Sequence, residues 1–360
     1  MMIKARKRIP SHIGFILFSL FTLHSSLSFS QPKNVILMIG DGMGLAQAYS
    51  AYTVNQGRLN IFTMPFTGFS KTYCADKYVT DSGAGATALA IGHKANYQSI
   101  GLDSLGNPHP SLIKLAKRKG LSTSIITTCD LTHATPAAFV ANVKNREEAE
   151  KIALAYLEKN VDIFIGGGLD NFLSTKRKDK LSLTDSLVKS GYKMIYSLDN
   201  ISQINNKTAA IMYPSHPPKA RQRKDMLCLS LAKTLDVLDK EDKGFFMMLE
   251  GSQIDFEAHL NKFDYMVDEV LDFDKAVGIA IEFAKRDGNT LVIVIADHET
   301  GGLTLNDGNI LNAEVKDKWS SLNHTGVMVP IYAFGKGAEN FTGVMENTDV
   351  FEKIKRLLNL

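Results

Sequence analysis

In Glu250-Gly-Ser-Gln-Ile-Asp255-Phe-Glu-Ala-His259, a carboxylate and an imidazole stand four residues apart. On a helix that spacing puts Asp255 and His259 on one face, where both can reach a single cation. Glu250 precedes them by roughly one helical turn. Asp297 and His298 form a second acidic and imidazole pair, directly after Leu-Val-Ile-Val-Ile-Ala and before Glu-Thr-Gly-Gly, whose glycines permit close backbone approach. His324, in Asn-His-Thr-Gly, lies in a polar stretch with no apolar face to bury it. Asp, Glu and His donors without Cys suit Zn²⁺ where imidazole takes part and Mg²⁺ where every donor is oxygen. The donors outnumber the needs of one ion. Taken singly, each motif reads equally well as a helix cap or a solvated helix surface.

Tyr78-Val-Thr-Asp81-Ser82-Gly-Ala-Gly-Ala-Thr-Ala sets a hydroxyl at the start of a run of very small residues able to form a tightly packed helix. Ser82 then sits where backbone N–H groups and the helix dipole favour an anion. The competing reading is a plain cap, since Asp and Ser both favour that position. A serine nucleophile needs activation, and no Gly-x-Ser-x-Gly elbow is present here. Metal coordination is the more economical route to a lowered hydroxyl pKa.

The elements that must carry these groups follow from hydrophobic patterning. Nearly continuous apolar runs predict strands at Val35 to Ile39, Thr123 to Thr127, Val161 to Ile165, Phe245 to Leu249, Leu291 to Ile295 and Val329 to Phe334. Three- and four-residue apolar spacing predicts helices at Ser111 to Lys119, Arg146 to Lys159, Met226 to Leu238 and Val267 to Lys285. The alternation gives an α/β class: a central, mostly parallel sheet with crossover helices on both faces. Asp41, Glu250 and Asp297-His298 all follow predicted strands, and ligands in open α/β sheets bind at strand carboxyl ends.

Composition bounds the partners. The chain has 360 residues, 44% hydrophobic and 22% charged, which is ordinary for a folded protein. Its formal charge of +3 is more than accounted for by Lys4, Arg6, Lys7 and Arg8, in a stretch of thirty residues without Asp or Glu. They precede an apolar run from Ile13 to Leu23 and small residues ending Ser28-Phe29-Ser30, the three-part pattern of a secretory signal peptide. Residues 1–30 are therefore expected to be cleaved near Ser30, leaving 31–360 as a single catalytic domain, exported to the periplasm or secreted. The alternative, a membrane anchor, needs roughly 20 apolar residues, more than this run offers. No attachment to the membrane is expected after cleavage. The cluster Lys219, Arg221, Arg223, Lys224 flanks two prolines and reads as a solvated loop, so no specific nucleic-acid recognition is expected. Cys74, Cys129 and Cys228 allow at most one disulfide and spell no thiolate metal motif.

With Asp41-Gly-Met-Gly, Thr80-Asp81-Ser82-Gly-Ala-Gly-Ala-Thr, His133-Ala-Thr135-Pro, Glu250-Gly-Ser-Gln-Ile-Asp255-x-x-x-His259, Asp297-His298 and His324-Thr-Gly in this order, the chain resembles the alkaline phosphatase family from about Lys33 to Gly335. The resemblance implies hydrolysis of phosphate monoesters through a phosphoserine on Ser82, with two zinc ions and one magnesium. Asp255, His259 and His324 would hold one zinc, and Asp41, Asp297, His298 and the Ser82 oxygen the other. Asp41, Glu250 and Thr135 would hold magnesium, with His133 beside it. Arg146, spaced from Thr135 as in the family, would clamp two phosphate oxygens, with Asp81 adjacent in the substrate site.

Two departures stand out. The best-studied bacterial relatives carry Asp and Lys at the places of His133 and Phe256. Only 25 residues separate His298 from His324, where vertebrate relatives insert a large crown, so an open cleft is expected. A homodimer is the assembly the resemblance implies. The competing functions are a phosphodiesterase or sulfatase on the same fold, disfavoured by Arg146, and a noncatalytic metal or phosphate scavenger, disfavoured by the retained Ser82.

Overall fold

Segments in which Val, Ile, Leu, Met and Phe run without a polar face must be covered on both sides, and such segments form the middle of the structure. The computed structural model describes residues 31–360; the expected signal peptide lies outside the described residues. In chain order the strands are β1 (Asn34–Gly40), β2 (Phe66–Lys71), β3 (Ser122–Asp130), β4 (Ile163–Gly167), β5 (Lys193–Ile195), β6 (Thr208–Ile211), β7 (Phe245–Gly251), β8 (Thr290–Ile295), β9 (Glu299–Thr300), β10 (Leu303–Asn309), β11 (Glu314–Trp319), β12 (His324–Thr325), β13 (Val329–Gly335) and β14 (Gly343–Glu346). The α-helices are α1 (Leu45–Val54), α2 (Ser82–Ile91), α3 (Leu112–Lys119), α4 (Ala134–Ala138), α5 (Ala149–Ala155), α6 (Leu183–Lys189), α7 (Met226–Leu238), α8 (Gln253–His259), α9 (Phe263–Asp287) and α10 (Asn347–Leu357).

Ten strands form one sheet in the order β14-β2-β13-β8-β1-β7-β3-β4-β6-β5. From β8 to β5 every pairing is parallel. β13 runs antiparallel to both β8 and β2, and β14 joins parallel to β2. Every residue of β1, β7 and β8 is buried, as expected with helices on both faces. One group of helices, α1, α7 and α9, packs together and against the sheet; a second group joins α2, α3, α4 and α10. The expected α/β class with a mostly parallel sheet is what the structure has. The antiparallel edge was not foreseen: β2 shows only partial alternation of buried and exposed residues, a weak signal in sequence.

The α7 bounds coincide with expectation, and α9 starts four residues earlier. The helix expected from Arg146 to Lys159 is shorter, with α5 beginning at Ala149. Asn145 explains the difference: its Oδ1 accepts the Glu147 N–H at 2.9 Å, a local turn that competes with helix. Meanwhile the Arg146 N–H donates to the Gln98 carbonyl at 2.9 Å. Arg146 therefore stands on a pinned loop. The 25 residues between His298 and His324 form little more than the β10–β11 hairpin, in place of a crown. Cys74, Cys129 and Cys228 are all free. Among the described residues no helix is long and apolar enough to cross a membrane.

Candidate active site

Register assembles the site. Glu250 on β7 pairs with Ile39 on β1 and with Thr127 on β3, while Ile39 also pairs with Ile295 on β8. The carboxyl ends of four adjacent strands thus lie in one row, and Asp41, Glu250 and Asp297 emerge side by side. A two-residue ladder pairs His324 on β12 with Thr300 on β9. It stacks the His324 ring on that of His298, with centroids 3.5 Å apart. Helix α8, tied to β3 by Gln253 Nε2 donating to the Thr128 carbonyl at 2.8 Å, delivers Asp255 and His259 from the other side.

Two glycines make these approaches sterically allowed. A Cβ on Gly85 would stand 3.0 Å from the Asp297 carbonyl oxygen, so only glycine lets α2 lie this close to the end of β8. Gly42 has φ +69°, and a Cβ there would meet Thr300 Oγ1 at 2.7 Å and the Asp255 backbone at 3.0 Å.

Three donor groups result. Asp255, His259 and His324 form one; Asp41, Asp297 and His298 form the second; Glu250 and His133 form the third, together with Cys129. In the first, His259 Nε2 lies 3.3 Å and His324 Nε2 3.5 Å from Asp255 Oδ1, and the two Nε2 atoms are 3.0 Å apart. Each ring's Nδ1 faces a backbone carbonyl, Leu322 at 2.6 Å for His259 and Thr80 at 2.8 Å for His324. Both therefore turn Nε2 inward, the second-sphere arrangement that fixes the tautomer of a metal-binding histidine. In the second group His298 Nε2 lies 3.4 Å from both Asp41 Oδ1 and Asp297 Oδ2.

The electrostatics of these groups call for a cation. Both Asp41 carboxylate oxygens, Asp297 Oδ2, Glu250 Oε1 and Thr135 Oγ1 are buried without a hydrogen-bond partner. Burial, then the neighbouring charge of Asp255, pushes Asp297 up to about 7. Burial with the charges of Asp297 and Asp255 lifts Asp41 well above the carboxylate range, and burial raises Glu250. Burial and then His324 hold His298 far below its usual value, neutral and available as a donor. Asp255 runs the other way: burial alone would raise it, but hydrogen bonds from His259 and His324 hold it low. Carboxylates crowded in this fashion ionise together only beside positive charge, so the residues present fit divalent ions.

Ser82 is released from the capping role. Asp81 is the N-cap of α2, its carboxylate accepting the Gly83 and Ala84 N–H groups at 3.1 and 3.2 Å. The Ser82 Oγ instead faces His298 Nε2 at 3.2 Å, aimed into the second group. The same Asp81 carboxylate accepts a hydrogen bond from Arg146 Nη1 at 2.9 Å, and Arg146 Nη2 lies 3.2 Å from His133 Nε2. Phe256 packs edge-on to His133 and His216, at centroid distances of 5.4 and 5.0 Å. Burial, then the charge of Arg146, lowers His133 to about 3.

All twelve site residues singled out in the sequence, Asp41, Asp81, Ser82, His133, Thr135, Arg146, Glu250, Asp255, His259, Asp297, His298 and His324, lie around this cleft. Others lay outside that reading. Thr300 donates to Asp255 Oδ1, and Thr127 to Glu250 Oε2. Cys129 adjoins Glu250, and the His216 Nδ1 accepts the Asp130 N–H at 3.0 Å. Thr300 directly follows the Asp297-His298-Glu299 motif and could have been noticed; Thr127 and Cys129 required strand register.

A mostly parallel sheet whose strand ends gather three donor groups around a serine free of the capping role and a guanidinium defines the class of metal-dependent hydrolases that act on phosphoryl groups. The chain matches the family model for alkaline phosphatase over residues 32–318 and 307–360. It is 31% identical to alkaline phosphatase 4 of Bacillus subtilis, over 91% of this chain and 89% of that one. The solved alkaline phosphatase of the Antarctic bacterium TAB5 superposes with a TM-score of 0.86 at 35% identity, covering 92% of this chain and 99% of that one. A variant of the TAB5 enzyme, solved with magnesium in its M3 site, superposes at 0.86 with 36% identity and the same coverage. This chain belongs to the alkaline phosphatase family, and it is a phosphoric monoester hydrolase.

Proposed function

We propose that Ser82 is the nucleophile of a double displacement on phosphate monoesters, and that Arg146 grips the phosphoryl group while it is transferred. The observation that carries this reading is the division of labour at the start of α2: Asp81 caps the helix, leaving the Ser82 hydroxyl turned toward His298, whose Nε2 in turn lies beside Asp41 and Asp297. In the first displacement the Ser82 Oγ to phosphorus bond forms as the bond from phosphorus to the alcohol oxygen breaks. The alcohol leaves with a proton. In the second, water attacks phosphorus from the side the alcohol left, phosphate departs and Ser82 regains its proton. Arg146, held in place by Asp81, has N–H groups to spare for two phosphate oxygens in both steps. Backbone amides at the α2 terminus add a positive dipole end to the same spot.

Asp255, His259 and His324 would hold one zinc; Asp41, Asp297, His298 and Ser82 Oγ the second; Asp41, Glu250 and Thr135 present the oxygen set that suits magnesium, with His133 beside them. Bound there, such ions lower the pKa of hydroxyl and water and stabilise the entering and leaving oxygens. Burial of Asp41, Glu250, Asp297 and His298 at the strand ends lessens the screening of charge there, so that it acts more strongly on the phosphoryl group.

Broad tolerance for the alcohol is expected, because the cleft recognises the phosphoryl group and no crown covers it. Export, to the periplasm or outside the cell, rests on the basic and apolar pattern of residues 4–23. The homodimer is tested by sedimentation of the purified chain. Hydrolysis of p-nitrophenyl phosphate against bis-p-nitrophenyl phosphate, with zinc and magnesium and again after chelation, tests the activity. Strong, chelator-sensitive preference for the monoester is expected. Preference for the diester would overturn the substrate class.

A further inference from the structure

His259 and His324 turn Nδ1 to backbone carbonyls. His298 differs. Its Nδ1 lies 3.2 Å from the Oγ1 of Thr300, a side chain that belongs to neither the first nor the second donor group. The same oxygen stands 2.5 Å from Asp255 Oδ1, so one hydroxyl touches a member of each group. A hydroxyl has a single proton and an ionised carboxylate only accepts, so that proton goes to Asp255. What remains for His298 is a lone pair. The ring must then carry its own proton on Nδ1. Its Nε2, which faces Ser82 Oγ at 3.2 Å and lies 3.4 Å from Asp41 Oδ1 and Asp297 Oδ2, is left bare. The hydroxyl is also firmly placed. Thr300 is fully buried on β9 and pairs with His324 across the two-residue ladder. Its N–H donates to the Gly42 carbonyl at 3.2 Å, and its carbonyl accepts from Gln47 Nε2 at 2.8 Å. Gly42 in turn gives its own N–H to Asp297 Oδ1 at 3.2 Å.

We infer that Thr300 is a positioning residue shared by the two zinc groups: its hydroxyl fixes the tautomer of His298 and anchors the carboxylate of Asp255, so that removing it weakens both groups' hold on their ions together. The inference rests on the metal-dependent phosphatase reading above. Without the hydroxyl, His298 loses the acceptor that keeps its proton on Nδ1. The ring can then place that proton on Nε2, where Ser82, Asp41 and Asp297 offer oxygens to receive it and where it blocks a cation. Asp255 meanwhile loses the donor on Oδ1, the oxygen that His259 and His324 both approach, and its carboxylate is free to turn. Partners of this kind, bound to ligands and not to the ion, set ligand orientation and typically carry about 10–100-fold in metal affinity.

Thr300→Ala and Thr300→Ser differ from each other by the hydroxyl alone. The full enzyme and both variants, in excess Mg²⁺, are equilibrated across a series of buffered free Zn²⁺ concentrations, and bound zinc is counted per chain by elemental analysis. The wild type should fill two equivalents. Thr300→Ala should fill both at least about 10-fold less tightly, and Thr300→Ser should follow the wild-type curve. A shift confined to one equivalent, no shift at all, or an equal shift in Thr300→Ser overturns the inference. A second measurement needs no variant to fold. Long-range proton–nitrogen NMR spectra of the zinc-free wild type should show the His298 ring with its proton on Nδ1, and a proton on Nε2 overturns the inference equally. Zinc-dependent monoester hydrolysis by the wild type with no response to Thr300→Ala would sink this inference alone; hydrolysis that proceeds without zinc would sink the metal-dependent reading beneath it.

Discussion

Asp81 holds two structures at once, and its two oxygens divide the work. Oδ1 accepts the N–H groups of Ala84 at 3.2 Å and Gln98 at 2.9 Å; Oδ2 accepts those of Gly83 at 3.1 Å and Arg146 Nη1 at 2.9 Å. Asp81→Ala strands three backbone N–H groups in a buried place, at a cost of about 1 kcal/mol each, so about 3 kcal/mol in all. With an unfolding entropy of roughly 2.1 cal/mol/K per residue, a domain of this size loses about 4 °C of Tm. Asp81→Asn keeps the Oδ1 bonds and turns its amide toward Gly83 and Arg146, so it should lose only about 1 kcal/mol, or 1–2 °C. The two variants should differ in stability yet match in kinetics, because both release Arg146 from its charged partner. Inorganic phosphate should inhibit each about 10-fold less tightly than wild type, which is about 1.4 kcal/mol. The assay pairs thermal scans of metal-saturated protein with competitive inhibition by phosphate. Unchanged phosphate affinity in both variants would refute the claim that Asp81 positions Arg146, and equal Tm losses would refute the division between the two oxygens.

Ser82→Ala should lower kcat for p-nitrophenyl phosphate by on the order of 10³-fold or more while elemental analysis still finds zinc bound; a rate near wild type would remove Ser82 from the nucleophile's role. Arg146→Ala should cost monoester hydrolysis ~10²-fold in kcat/KM, the worth of a charged hydrogen bond of 2–3 kcal/mol, and diester hydrolysis far less; equal losses would show that the guanidinium does not read the extra anionic oxygen. Away from the cleft, Arg223 departs from the solvated loop expected of its basic cluster, because Glu269 and Asp272 on α9 draw its guanidinium into a buried ion pair. Arg223→Ala should lower stability by about 3–5 kcal/mol in denaturant titration, since it strands two buried carboxylates, and a change under 1 kcal/mol would mean that water reaches them.

Much of the sheet is evident from composition, because strands buried on both faces leave unbroken apolar runs: the segments at Val35, Phe245 and Leu291 fall within β1, β7 and β8. Helix α7 is equally plain, its apolar spacing ending where the polar Asp239-Lys240-Glu241 begins. The edge strand β2, half exposed, carries too little contrast to be seen. Arg146 looked helical because its neighbours are good helix formers, yet Asn145 and the distant Gln98 hold it in a loop.

Residue type determined the chemistry of the cleft: acids, imidazoles and one serine beside small residues dictate hard and borderline metal donors and an oxygen nucleophile, wherever they end up. Which donors share an ion was decided only in three dimensions. Strand register brings Glu250 beside Thr127 and Cys129, a two-residue ladder stacks His324 on His298, and α8 swings Asp255 between them. The choice between Asp81 and Ser82 as helix cap is likewise a matter of φ, ψ and neighbours, since both residue types cap equally well. Local propensity acts over a few residues, whereas the donor groups span up to 257 positions, from Asp41 to His298, and only closure of the sheet sets those distances.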